Sequence, residues 1–410
     1  MIYDVAIIGA GPAGSLAAAL LLQKGLRVLV LERNRFPRFS IGESLLPACM
    51  TFLEQAGLDQ CVHDAGFQFK NGAAFRCGER YTAFDFERKY SPGPGTIYQV
   101  ERARFDQLLA DEVAKRGADL RFETEVTNLS RTKGLSSIQL RGPAGESTEL
   151  AKFVLDASGF ARVLPRLFGL EKPSPFPVRS SLFTHVEDGI ADLAFDRNKI
   201  LVNVHPEHND VWFWLIPLSQ GRCSVGVVAE AAVLDSRGAD PESRLAAWLA
   251  ELPALSALLA NATVCADVRQ IKGYAADVSS LHGDGFALLG NAGEFLDPVF
   301  SSGVAIAFKS AQLASALVIR QLAGKPVDWQ RDYTERLKPG IECFKTYVTA
   351  WYDGRFQDVI FSPQQNERIK GMISSILAGY VWDTDNPYVV QADRRLNALV
   401  ELIRMREAEA

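Results

Sequence analysis

The chain has 410 residues, 48% of them hydrophobic, enough for a large core and two or three domains. Its 44 lysines and arginines against 49 aspartates and glutamates give a formal net charge of -5, with no basic footprint for nucleic acid or anionic lipid. The six cysteines form no CxxC pair and read as reduced core residues of a cytoplasmic protein, and the only close histidines, His205 and His208, sit in a turn without cysteine, so no metal site is expected.

Residues 3–8 are a short β-branched run closed by glycine, the pattern of a buried parallel strand. Residues 13–24 are rich in alanine and leucine, with Gly25 as a helix stop, and residues 27–31 form a second strand ending at Glu32. Residues 34–40 read as a loop, 45–56 as a helix and 81–98 as strands and turns. Residues 104–115 form an amphipathic helix with Phe105, Leu108, Leu109 and Val113 on one face. Residues 120–129 and 136–140 are strand-like, a hairpin turn follows at 142–145, and a buried strand spans 153–157. From about 175 to 277 the pattern is alternating strands with one helix at 242–250, as in an antiparallel sheet. A buried strand returns at 285–290, a long helix covers 303–324, and the remainder is helical and aromatic. No signal peptide or membrane span is expected: glycines and Pro12 break the apolar start, and no other stretch reaches ~18 uninterrupted apolar residues.

The turn after the first strand reads Gly9-Ala10-Gly11-Pro12-Ala13-Gly14. Gly9 allows the tight turn, Gly11 lets backbone approach a pyrophosphate, and Gly14 permits close helix–strand packing. The helix N-terminus then faces the phosphates, and Glu32, with Arg33 beside it, is spaced to accept from ribose hydroxyls. FAD and NAD both use this unit, so the motif alone leaves them unresolved.

The remaining motifs resemble those of the FAD-dependent monooxygenase superfamily. Residues 100–106 resemble its Arg-bearing helix start, with Arg102 facing the cofactor. Leu155-Asp156-Ala157-Ser158-Gly159 resembles its strand-end acidic turn, and Gly290-Asn291-Ala292-Gly293 its second flavin turn, with Asn291 where an aspartate is usual. Three stretches resemble one branch, the flavin-dependent halogenases: Trp212-Phe213-Trp214-Leu215-Ile216-Pro217 (W-x-W-x-I-P), Phe295 to Gly303 (F-x-x-P-x-x-S-x-G, including Pro298), and Lys70 following Gly42-Glu43-Ser44.

That resemblance implies an α/β protein: a Rossmann-like FAD-binding domain (1–75, 98–172, 278–335), an inserted antiparallel-sheet substrate domain (76–97, 173–277) and a helical C-terminal region (336–410). It implies FAD loaded in reduced form by a separate flavin reductase, and chloride or bromide held by the amides of Ser302 and Gly303. Trp212, Trp214, Ile216 and Pro217 would wall the flavin from the substrate, and Lys70 would carry the halogen as hypohalous acid or a haloamine. Tryptophan-type members have a glutamate where this chain has Phe300, so the resemblance points to the phenol and pyrrole branch, in which some substrates ride on a carrier protein. The rival reading is an FAD-dependent monooxygenase or other oxidoreductase on the same scaffold without halogenation; there the two tryptophans are ordinary sheet aromatics and Lys70 a surface charge.

Overall fold

A computed structural model of the chain describes residues 1–363 and 366–409. At its centre the strand Ile2–Ile8 runs parallel to Val28–Leu31 on one side and to Gly145–Asp156 on the other. Phe286–Leu288 and Asp119–Arg121 extend this sheet outward, again in parallel. Helices cover the sheet, so its strands read as continuous apolar runs; Val5, Ala6, Ile7, Leu29 and Val30 are fully buried. The hairpin of Glu125–Thr132 and Leu135–Gly142 adds an antiparallel flap along Gly145–Asp156.

The helix Pro12–Leu22 lies tightly on this sheet because Gly14 has no side chain: a Cβ there would stand 1.9 Å from the Gly9 carbonyl oxygen. Gly25 ends the segment with φ +71. The helix expected from residue 45 begins at Ala48, after Pro47, since proline disfavours helical backbone in the residue before it. The run at 120–129 divides into Asp119–Arg121 and Glu125–Thr132, interrupted where Glu123 takes φ 53.

The second sheet contains, in spatial order, Thr263–Val264, Arg179–Glu187, Arg222–Glu230, Trp212–Leu218, Lys199–Val204, Gly72–Cys77 and Arg80–Asp85. Its pairs are antiparallel as expected, except that Lys199–Val204 runs parallel to Gly72–Cys77. A long excursion of chain separates those two strands, which frees them to run the same way. The sheet has two interiors. Phe213 and Leu215 join a core with Leu245, Trp248 and Leu255 of the helices Pro241–Ala250 and Pro253–Leu258. Trp212, Trp214 and Ile216, on alternate positions, face the main core shared with the first sheet.

The helix Ser302–Leu322 is long and apolar enough by composition to cross a membrane, unlike the sequence expectation, but 67% of that apolar window is buried inside the protein. Behind it, Glu335–Tyr352, Arg355–Phe361, Glu367–Leu377 and Ala392–Glu409 form the helical C-terminal region. Glu294, buried after the second flavin turn, pairs with Lys345 and with Lys338 (3.3 Å) of Glu335–Tyr352, docking that helix on the loop. We expect Gly14→Ala to cost about 3 kcal/mol or more, because a backbone oxygen cannot rotate away. Gly25→Ala, directed into open space, should cost only about 1 kcal/mol of backbone strain. Thermal denaturation of the two variants makes the comparison.

Candidate active site

Residues of both sheets line one cavity of about 520 Å3. One end is built by the glycine turn, where Gly9, Gly11, Pro12 and Ala13 form the wall. The first amides of Pro12–Leu22 have no intrahelical acceptor and favour anionic groups. Gly14 lies beneath this wall and acts through packing. Glu32 and Arg33 also line the cavity; Glu32 accepts from the amides of Ala10 (3.1 Å) and Asn34 (3.0 Å), so it braces the turn while bordering the space.

Arg102 borders the same space and is fixed by two bonds to the buried Asp106, at 2.7 and 3.0 Å. It also donates to the carbonyl of Ile41, which shapes the segment carrying Gly42, Glu43 and Ser44. Gly42 has φ +95, and a Cβ there would lie 2.9 Å from the guanidinium. Sequence reasoning missed Arg38, which lines the cavity and pairs with Asp106 at 3.1 Å; it lies in a stretch with no periodicity to mark it. Asp156 stands apart from the wall. It accepts from the amides of Ser158 (2.9 Å) and Leu164 (2.7 Å), and burial raises its carboxyl above the usual range, so it organises its own turn.

At the other end, Asn291, Pro298, Ser302 and Gly303 form the wall. Ser301 adopts φ 55 and starts Ser302–Leu322, so the free amides of that helix open toward the cavity. The Ser302 hydroxyl is buried without a hydrogen-bond partner. So is Glu43 Oε2, while Glu43 Oε1 meets His185 Nε2 at 2.6 Å. Burial works against a charged imidazole there, but Glu43 outweighs it and raises His185 above its ordinary value. Orphaned buried polar atoms call for a partner, and a glycine cradle at one end with an anion-seeking helix start at the other fits a dinucleotide flavin.

Trp212, Trp214 and Ile216 line this cavity from one face of their strand; Pro217 falls on the opposite face and does not. The two indoles lie 6.0 Å apart at 46°. Trp214 lies across Gly226 of the neighbouring strand, where a Cβ would come within 2.4 Å of the ring. Its indole N–H donates to Ser224 at 3.0 Å, and that of Trp212 to Tyr352 at 2.9 Å.

Lys70 is 1% exposed. Its amine donates to Ser44 Oγ (2.8 Å) and to the Leu45 carbonyl (2.6 Å), 5.6 Å from the Phe86 ring centre. Burial pushes it down to about 7, only partly opposed by Cys49. Ser44 lines the cavity and Lys70 does not: the amine sits one side chain behind the wall rather than in an open passage. Burial likewise holds the Cys49 thiol up at about 12. Phe300 packs edge-on against Trp351 (5.7 Å) and Phe356 (5.4 Å), both from the C-terminal helices.

A family model described as FAD binding domain matches residues 2–292. The solved myxobacterial chondrochloren halogenase CndH, an FAD-dependent halogenase, is 30% identical over 98% of this chain and 96% of its own, with a TM-score of 0.75. The chain belongs to the FAD-dependent halogenase family. A 1H-pyrrole-2-carbonyl-[peptidyl-carrier protein] chlorinase of Pseudomonas fluorescens is 29% identical, covering 97% of this chain and 94% of that protein. A solved flavoprotein/dehydrogenase from Cytophaga hutchinsonii is 41% identical over 99% of this chain and all of its own, with a TM-score of 0.96. This family member is therefore an FAD-dependent oxidoreductase, with FAD and a halide ion as its cofactor and co-substrate. Gly226→Ala should push Trp214 from its slot and cost about 1–3 kcal/mol. Denaturant unfolding followed by tryptophan emission would read both effects.

Proposed function

We propose that the protein halogenates an electron-rich aromatic, a phenol or a pyrrole, free or carried on a carrier protein. The observation behind this reading is a lysine amine that is dry, near neutrality, and hydrogen-bonded to a side chain of the cofactor cavity. Reduced FAD, when bound, supplies with oxygen the oxidation of halide to hypohalous acid. The glycine turn, Glu32, Arg33 and Arg102 would hold its nucleotide half, and Glu43, Asn291 and Pro298 its ring half. The amides of Ser302 and Gly303 bind the halide at a helix start. Trp212 and Trp214 exclude substrate and bulk water from that end. Lys70 receives the oxidant across Ser44 and presents an electrophilic halogen. Phe300, packed behind the wall on Trp351 and Phe356, leaves no carboxylate at that position, which suits a substrate that activates itself by deprotonation. A separate flavin reductase would supply the reduced cofactor. The six unpaired thiols fit a reducing, cytoplasmic setting. The domain division implied by the motifs serves the same reading: a flavin domain, a sheet domain bearing the tryptophans, and a helical cover.

A second reading has support of its own: a flavin oxidoreductase that keeps this scaffold without halogenation. The similarity to a flavoprotein/dehydrogenase favours it, and so does the closure of the cavity wall in front of Lys70.

The deciding assay supplies the protein with FAD, a flavin reductase, NADH, oxygen and bromide. It offers phenols and pyrroles, free and carrier-bound, and looks for brominated products by mass spectrometry. Bromination is expected; NADH-driven flavin turnover with no brominated product from any of them supports the second reading. Lys70→Met, which keeps the volume, and Lys70→Ala should each lower bromination by about 100-fold or more while FAD still binds. If the neutral amine takes the halogen, product formed per flavin oxidised should rise with pH through about 7, the value to which burial brings Lys70, and level off above it. A yield that falls across that interval would assign the ammonium form as a hydrogen-bond donor instead.

A further inference from the structure

The helical C-terminal region is tied to the cavity wall through the Tyr352 hydroxyl. The Tyr352 hydroxyl, at the end of Glu335–Tyr352, accepts from the Trp212 indole N–H at 2.9 Å and donates to Asp297 Oδ2 at 2.9 Å. Asp297 Oδ1 accepts from the Val299 amide at 3.0 Å. Three hydrogen bonds in series thus join the sheet, the C-terminal helix and the turn that leads through Ser301 into Ser302 and Gly303. All of their donors point the same way, toward one buried carboxylate.

The surroundings fix this arrangement. Asp297 is 3% exposed and Trp212 2%, so each polar group needs an internal partner. The Arg179 guanidinium lies 3.4 Å from the centre of the Tyr352 ring. Arg179, Tyr352 and Tyr274 are the charged and titratable groups that act on Asp297. Burial pushes its carboxyl up to about 6, opposed by the Val299 amide and the Tyr352 hydroxyl that donate to it and by the Arg179 charge. Trp214 has its own tie to Ser224 within the sheet, so Trp212 alone depends on the helical region.

We infer that Tyr352 is a positioning residue: its hydroxyl locks the Trp212 indole to the Asp297 turn, so that the wall of the cavity and the halide-side turn hold one fixed relation. The catalytic consequence rests on the halogenase reading. A wall confines a small oxidant only while its rings are fixed, and an indole freed from its acceptor opens a route to water.

The test uses the full chain with Tyr352→Phe, which keeps the ring beneath Arg179 and removes only the hydroxyl. The first readout needs no turnover. Indole N–H resonances, assigned with Trp212→Phe, should show the Trp212 signal shifted and exchanging at least about tenfold faster in Y352F, with Trp214 unmoved. The second readout is the share of oxidised flavin recovered as brominated product. It should fall severalfold, with free oxidant rising in a scavenger assay and FAD affinity unchanged. Because the three bonds are in series, Y352F combined with Asp297→Asn should lose no more product yield than Y352F alone. An unmoved Trp212 resonance overturns the link whatever the enzyme makes. A moved resonance with unchanged product yield overturns the confining role. If the wild type brominates nothing, the halogenase reading fails, the confining role falls with it, and the resonance still decides the link.

Discussion

Every residue of Trp212–Leu218 is buried, and the strand must satisfy two interiors at once. Its odd face completes a small core under two short helices, while its even face brings two indoles and an isoleucine to the cavity. Period-two geometry makes this division rigid, because a slip of one residue would exchange the faces and bury the wrong set in each core. The small core therefore fixes the register of the tryptophans, although none of its residues touches the cavity. Gly226 finishes the arrangement by leaving a flat slot for the Trp214 ring.

The two ends of the cavity share a physical device. Each is the start of a helix whose first amides lack internal acceptors, and each follows a turn that only special backbone permits: Gly9 at φ +100 and Ser301 at φ 55. A fully shaped pair of anion-seeking ends, with a buried and unpartnered carboxylate oxygen and hydroxyl between glycine cradle and tryptophan wall, is prepared for a ligand before the ligand arrives. The helical region contributes by closing this frame from behind, through Lys345 and Lys338 on Glu294 and through Tyr352.

The first 32 residues were legible because their signals are local: strand, glycine turn, helix and acid follow within one unit, each with its own steric reason. The alternation at Trp212 and Trp214 was legible for the same reason, being a matter of strand period. Long-range facts were not. Nothing in Gly72–Cys77 or Lys199–Val204 announces that they pair in parallel, and nothing around residue 70 tells a surface lysine from one enclosed by Ser44, Leu45 and Phe86. Asp156, chosen as a cofactor residue from its motif, turns inward to its own amides instead. Asp297 occupied an unspecified position of the F-x-x-P-x-x-S-x-G motif. Its importance appears only once Tyr352, 55 residues later, folds back onto it.

The state of Cys49 bears on how long such a catalyst survives. It is a thiol within electrostatic reach of Lys70, and thiols are among the groups that strong halogen oxidants destroy. Attack proceeds through the thiolate, and burial keeps this sulfur protonated, with its ionisation pushed up to about 12. The same dry packing that lowers the Lys70 amine thus keeps its neighbouring sulfur in the less reactive thiol form.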